Sequence, residues 1–255
     1  MKQYLAELWW FGLKQAWACL FGGLLLFMIV ASHLFWPEEA PLARYDFLFL
    51  SALVIQVLML ALRLESVDEA KVIFIFHLVG TFMELFKTSV GSWTYPEENL
   101  FRIYGVPLFS GFMYASVGSY FARVWRIFDF RFTHYPPVWA TFTIAIAIYV
   151  NFFTHHYMAD LRWLLFGGVV LLYGRARVYF TPNGHRRNMP ILLALFLGAF
   201  FIWIAENLAT FGQIWLYPNQ HDGWQLVPFS KFGSWFLLMI ISGVLVTIVQ
   251  RPKPE

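Results

Sequence analysis

Cysteine is nearly absent from this 255-residue chain, Cys19 being the single one. Neither an intramolecular disulfide nor a thiolate metal centre can be built from it. Charge is scarce as well: Asp, Glu, Lys and Arg make up 13% of the residues, where a soluble domain carries about 25%. HExxH and HxxxH pairs, a glycine-rich phosphate loop, a G-x-S-x-G nucleophile turn and a haem-attachment motif are all missing. No metal and no cofactor is therefore implied.

What remains is apolar. Hydrophobic residues reach 60% and aromatic ones 21%, and the mean hydropathy is +0.60. Apolar runs cover 16–36, 46–64, 72–90, 107–125, 137–153, 161–180, 189–211 and 228–249, with breaks such as Pro37-Glu38-Glu39, Glu65-Ser66-Val67-Asp68-Glu69 and Thr181-Pro182-Asn183-Gly184 between them. About 20 apolar residues cross a bilayer as a helix. The chain is thus expected to be an all-α, polytopic membrane helical bundle of about eight transmembrane helices, a single integral membrane domain over 1–255. Sheet is not expected, because a barrel strand alternates over ~10 residues and these runs are about twice as long. No small-residue cleavage site accompanies the first run, which reads as a retained helix.

The formal net charge of +3 sits in short loops. That spread implies orientation signals and no nucleic-acid partner. With the N-terminus in the cytoplasm, thirteen of the eighteen Lys and Arg residues fall inside; Arg44, Lys87, Arg102, Arg162 and Lys231 fall outside. Positive residues favour the cytoplasmic side, so a bacterial inner-membrane protein with both termini cytoplasmic is expected. Arg175, Arg177, Arg186 and Arg187 read as an anchor beside anionic headgroups, which makes membrane lipids the expected partners.

The chain also resembles itself. Glu84, Thr88, Trp93, Tyr95 and Pro96 recur as Glu206, Thr210, Trp215, Tyr217 and Pro218 at an offset of 122, and Val106-Pro107 recurs as Val227-Pro228. Two tryptophans and two intramembrane acids among so few matches argue against chance. The expectation is two parallel four-helix repeats, 14–126 and 136–250, related by a pseudo-twofold along the membrane normal, with a site at their interface or in each half.

Glu84 and Glu206 fall within apolar runs, where an ionisable group marks a functional site unless it is structural glue. Steps of seven and four residues place His77, Glu84 and Thr88 on one helical face, and Lys87 lies within reach at i+3. In the second copy Ala199 replaces the histidine and Asn207 adds a polar group beside Glu206. Candidate catalytic residues are therefore Glu84, His77, Lys87 and Glu206. Candidate substrate-binding residues are Trp93, Tyr95, Thr88, Asn207, Thr210, Trp215 and Tyr217; the four rings also fit an interfacial aromatic belt.

The stretch Glu84…Gly91-Ser92-Trp93-Thr94-Tyr95-Pro96-Glu97…Ile103-Tyr104-Gly105-Val106-Pro107-Leu108 resembles a motif of membrane-type lycopene cyclases and carotenoid hydratases. The whole chain is similar to an uncharacterised family of bacterial multi-pass inner-membrane proteins of unknown function. The first resemblance implies a membrane-embedded enzyme acting on a hydrophobic lipid or isoprenoid by cofactor-free acid–base chemistry. The chain departs from the cyclases after the proline, with Pro107-Leu108-Phe109-Ser110 and Pro228-Phe229-Ser230-Lys231 in place of acids, so Glu84 or Glu206 would have to donate the proton. A transporter or channel using Glu84 and Glu206, and a purely structural membrane protein, stay open beside that reading.

The topology can be checked directly. Reporter fusions after Glu69, Arg131 and Arg187 are expected to report cytoplasm, and fusions within 96–104 and 218–225 the outside. Two of the five on the wrong side would overturn eight spans.

Overall fold

A computed structural model describes residues 2–37 and 39–255, without the side chain of Lys2. Glu38, part of the first break, lies outside the described residues. Among them the helices are α1 (Lys2–Ala18), α2 (Leu20–Phe35), α3 (Arg44–Ala61), α4 (Val67–Ser89), α5 (Phe109–Ile127), α6 (Val138–Thr154), α7 (Arg162–Tyr173), α8 (Ile191–Phe211) and α9 (Ser230–Thr247). The strands are β1 (Arg102–Ile103), β2 (Val106–Pro107), β3 (Arg131–Thr133), β4 (Arg177–Asn183) and β5 (His185–Pro190).

Four helices, α3, α4, α8 and α9, are long and apolar enough to cross a membrane. α1 and α2, bent by 67° at Cys19, make a fifth span if taken together, and α6 and α7 are shorter apolar helices. The chain is thus mostly helical and of membrane type, while its helices do not all have the length that eight full spans call for.

Two elements depart from expectation. The first run begins inside a helix that already runs from Lys2, so α1 precedes the expected first helix. The run 161–180 is helical only to Tyr173, and its remainder enters a three-stranded antiparallel sheet in the order β3-β4-β5. The reason is periodicity. Val178, Phe180 and Pro182 are buried while their neighbours are not, which is a strand's alternation hidden in a run judged by length.

The chain divides into two compact units. The first collects residues up to Cys19, Phe121–Phe201 and Ser230–Glu255. There α6 packs on α7 and α9, α1 lies on β4, and the Phe132 N–H donates to the Lys253 carbonyl (2.9 Å). Arg186 bonds both Asp129 and Glu255, and Arg187 bonds Glu7. Three segments assigned to one side of the membrane, around 131, 180 and 253, therefore meet.

The second unit holds Leu20–Tyr120 and Ile202–Phe229. Its core joins Phe21, Leu25, Tyr45, Leu48, Phe109, Ala209 and Ile214. α4 starts at a capping box, in which the Ser66 hydroxyl accepts from the Glu69 N–H and the Glu69 carboxylate accepts from the Ser66 N–H. α4 and α5 approach closely through glycine. A Cβ on Gly80 would collide with the Tyr114 ring, and one on Gly118 would lie 2.7 Å from Phe76 Cγ. Small residues let helices come together in lipid, where no hydrophobic drive separates one apolar surface from another.

The contact at Gly80 sets a sign. Gly80→Ala is expected to lower thermal stability by about 1–3 kcal/mol, since overpacking outweighs the ~1 kcal/mol gained in helix propensity. Gly23→Ala, where nothing lies within 4 Å, should leave stability equal or higher. Melting of the two purified variants checks the contrast.

Candidate functional site

Glu84 is 3% exposed, on the face of α4 that meets α5. Both carboxyl oxygens are engaged. Oε1 accepts from the Tyr114 hydroxyl at 2.7 Å; Oε2 accepts from the Trp93 indole N–H at 2.8 Å and the Tyr95 hydroxyl at 2.7 Å. Burying a charge or a polar group costs several kcal/mol unless hydrogen bonds replace water. Three donors from two different segments, the loop after α4 and the middle of α5, meet that requirement.

Tyr114 reaches Glu84 because Gly80, one turn earlier on α4, leaves room for its ring. Trp93 and Tyr95 arrive because α4 ends in a turn that reverses the chain. Gly91 has φ +70°, the Gly91 N–H donates to Thr88 O, and the Ser92 N–H donates to Lys87 O. This is a Schellman-type end, whose left-handed position suits glycine. Burial and the Glu84 carboxyl hold the Tyr95 phenol well above its ordinary pKa, so it remains a donor.

The end of α8 is built alike. Gln213 takes the left-handed conformation (φ +54°), its N–H donates to Thr210 O, and the Ile214 N–H donates to Ala209 O. Glu206, also 3% exposed, accepts from the Tyr217 hydroxyl at 2.6 Å. Burial, the Glu206 carboxyl and the more distant Glu84 carboxyl keep the Tyr217 phenol well above its usual pKa.

The two turns bond to each other. Thr94 N–H donates to Leu216 O at 3.0 Å and Leu216 N–H returns to Thr94 O at 2.9 Å. Beside this bridge the Trp93 and Tyr217 rings meet edge to face, with centroids 6.1 Å apart.

Both turns are held by three consecutive residues that begin α3. Arg44 pairs with Glu97 and donates to the Gly212 carbonyl (2.9 Å). The Tyr45 hydroxyl donates to Ile214 O (2.9 Å), and the Asp46 carboxylate accepts from the Leu100 and Phe101 N–H groups and the Asn99 amide.

The sequence candidates thus separate. Glu84, Trp93 and Tyr95 come together, as do Glu206 and Tyr217. The tryptophan and tyrosine rings, which also fitted a membrane belt, turn inward: Trp93, Tyr95 and Tyr217 reach acids or one another, and Trp215 packs against the apolar core. The Thr88 hydroxyl is spent on Glu84 O and Leu85 O of its own helix. Asn207 bridges Trp203 O and the Val227 N–H, and Thr210 accepts from the Trp224 indole, so both tie α8 to the loop before α9. Lys87 is buried on α4. His77 lies against Gly111 and the Phe112 ring (4.7 Å).

Sequence reasoning missed Tyr114 and the Arg44-Tyr45-Asp46 clasp. A tyrosine and two opposite charges inside or beside apolar runs were visible signals; which acid or loop each would reach was not.

Comparison with known proteins adds the following. The family described as protein of unknown function (DUF817) matches residues 7–243, a span that includes both acids and both turns. An uncharacterized protein of Bacillus subtilis (strain 168), YoaT, is 44% identical over 245 residues, covering 96% of this chain and 92% of its own. No solved structure matches the chain. With nearly its whole length matched, the chain belongs to the DUF817 family of proteins of unknown function.

Proposed function

We propose that this protein is a bacterial inner-membrane enzyme that acts on a hydrophobic lipid or isoprenoid substrate by acid–base chemistry at Glu84. The observation that carries the reading is the setting of that carboxyl, buried and held by Trp93, Tyr95 and Tyr114. The three donors are neutral. A phenol both donates and accepts, so a proton can leave or return to Glu84 through Tyr95 or Tyr114 without breaking an ion pair. Delivery of a proton to a carbon–carbon double bond, with removal of one from a neighbouring carbon, moves a double bond or closes a ring with no net redox change. Aromatic faces such as Trp93 would steady the cationic intermediate. The resemblance of the Glu84–Leu108 stretch to carotenoid-modifying membrane enzymes agrees with this class.

The acids belong to two copies of one unit. Supporting this, Thr94 pairs with Leu216, its own counterpart at the offset of 122, and Gly91 and Gln213 share a left-handed backbone at the same offset. Mutual pairing of equivalent residues is what a local twofold axis produces. Meetings of the 131, 180 and 253 segments in one unit, and of the 44, 97 and 213 segments in the other, favour an even number of crossings between the segments of each group, and the Lys and Arg bias of the first group favours cytoplasmic termini.

The duplication also favours a second reading, a transporter in which Glu84 and Glu206 pass a proton or small solute. Proton-coupled uptake by proteoliposomes, with unchanged membrane lipids, would select it.

The enzyme reading is tested by extracting lipids and pigments from cells expressing wild type, Glu84→Gln and Glu206→Gln. Gln keeps shape and hydrogen bonding but has no proton to give. Loss of about 10²–10⁴-fold of any wild-type product is expected for Glu84→Gln, with Glu206→Gln milder because Ala199 stands where His77 does. Full product formation by a folded Glu84→Gln protein would remove the enzyme reading.

A further inference from the structure

Helical threonines and serines ordinarily return their hydroxyls to a carbonyl three or four residues back. Six of the seven threonines in described helices do so: Thr88, Thr141, Thr143, Thr154, Thr210 and Thr247. Thr81 is the exception. Its Oγ1 is buried, turned from its own helix, and has no hydrogen-bond partner among the described residues.

One turn earlier on α4, His77 Nδ1 is also buried without an aligned hydrogen bond, beside the backbone of Gly111. Both atoms point at the start of α5, where each lies 2.5 Å from the position a Cβ on Gly111 would take. They are therefore no more than about 5 Å apart, close enough for one group to reach both. The preceding residue, Ser110, is fully buried; its Oγ has no aligned hydrogen bond but lies beside Tyr95, the donor to Glu84.

Buried polar atoms are almost always satisfied. An imidazole nitrogen and a hydroxyl can each donate or accept, which suits a hydroxylic group, and two such groups are fewer than the three or four ligands a metal ion takes. We propose that His77 and Thr81, facing Gly111, hold one hydroxyl group, supplied by water or by the alcohol end of a lipid, next to the Glu84 site. Resting on the acid–base reading, this assigns that chemistry a polar subsite: the hydroxyl lies at Gly111, next in the chain to Ser110, which stands beside Tyr95, one of the donors to Glu84. His77 then has a role distinct from contact with the acid itself.

The test reads stability, so its outcome is separate from that of the Glu84→Gln product assay. Thr81→Val keeps the shape and removes only the hydroxyl. If the hydroxyl has a ligand, Thr81→Val should lower the melting temperature of purified protein by several degrees, and Thr81→Ser should keep most of the wild-type value. If Thr81 has no ligand, removing an unsatisfied buried hydroxyl leaves the melting temperature equal or raises it, and that result overturns the proposal. Thr88→Val, which loses only a bond within its helix, sets the baseline that the Thr81→Val loss must exceed. Repeating the melts after exhaustive delipidation separates the sources: a loss that persists identifies water, and one that vanishes identifies a lipid alcohol.

Discussion

Taking a carboxyl out of water costs several kcal/mol unless donors replace the lost hydration, and much of the second compact unit answers that demand. Glu84 draws its donors from the loop after α4 and from α5; Glu206 draws Tyr217 from the loop after α8. Neither loop can satisfy an acid by pointing outward. Each must reverse at a left-handed residue, Gly91 or Gln213, and lay its aromatic residues back over the helix it has just left. The acids thus dictate the course of backbone that is otherwise short of regular structure.

Once the loops fold inward, they need their own anchoring, since loop backbone carries many donors and acceptors that no helix satisfies. The Thr94–Leu216 bridge joins one loop to the other, and Arg44, Tyr45 and Asp46 hold both from the start of α3. Charged side chains that would be costly beside lipid are here consumed by carbonyls, N–H groups and Glu97. A loop pinned at so many points positions Trp93 and Tyr95 with little freedom, which is the condition an acid–base group needs to act on a bound molecule.

Close packing of α4 and α5 is the other half of the site. Gly80 admits Tyr114 to Glu84, and Gly111 admits His77 and Thr81 to the start of α5. The polar groups of one helix and the glycines of its neighbour alternate along the contact, so a single helix pair carries both the acid and the uncharged polar pair beside it.

The sequence by itself determined the membrane-type helices, most of their limits to within a few residues, and the two acids and the repeated tyrosines as candidates. Those properties follow from composition, from run length and from a repeated spacing, all of which are local. It did not reveal that 177–183 is a strand, because length was weighed above a two-residue alternation, nor that the N-terminal residues before the first run are helical. Only the tertiary structure decided that Trp93 and Tyr95 serve Glu84 rather than a membrane belt, that Tyr114 joins them, and that Arg44 is a clasp and not merely a charge outside. Trp93 and Tyr95 reach Glu84 over 9 and 11 residues, through a turn whose inward course the spacing alone does not show. Tyr114 and Arg44 depend on surfaces that meet across 30 and 168 residues of chain, and a hydrogen bond over such a separation leaves no periodic trace in the sequence.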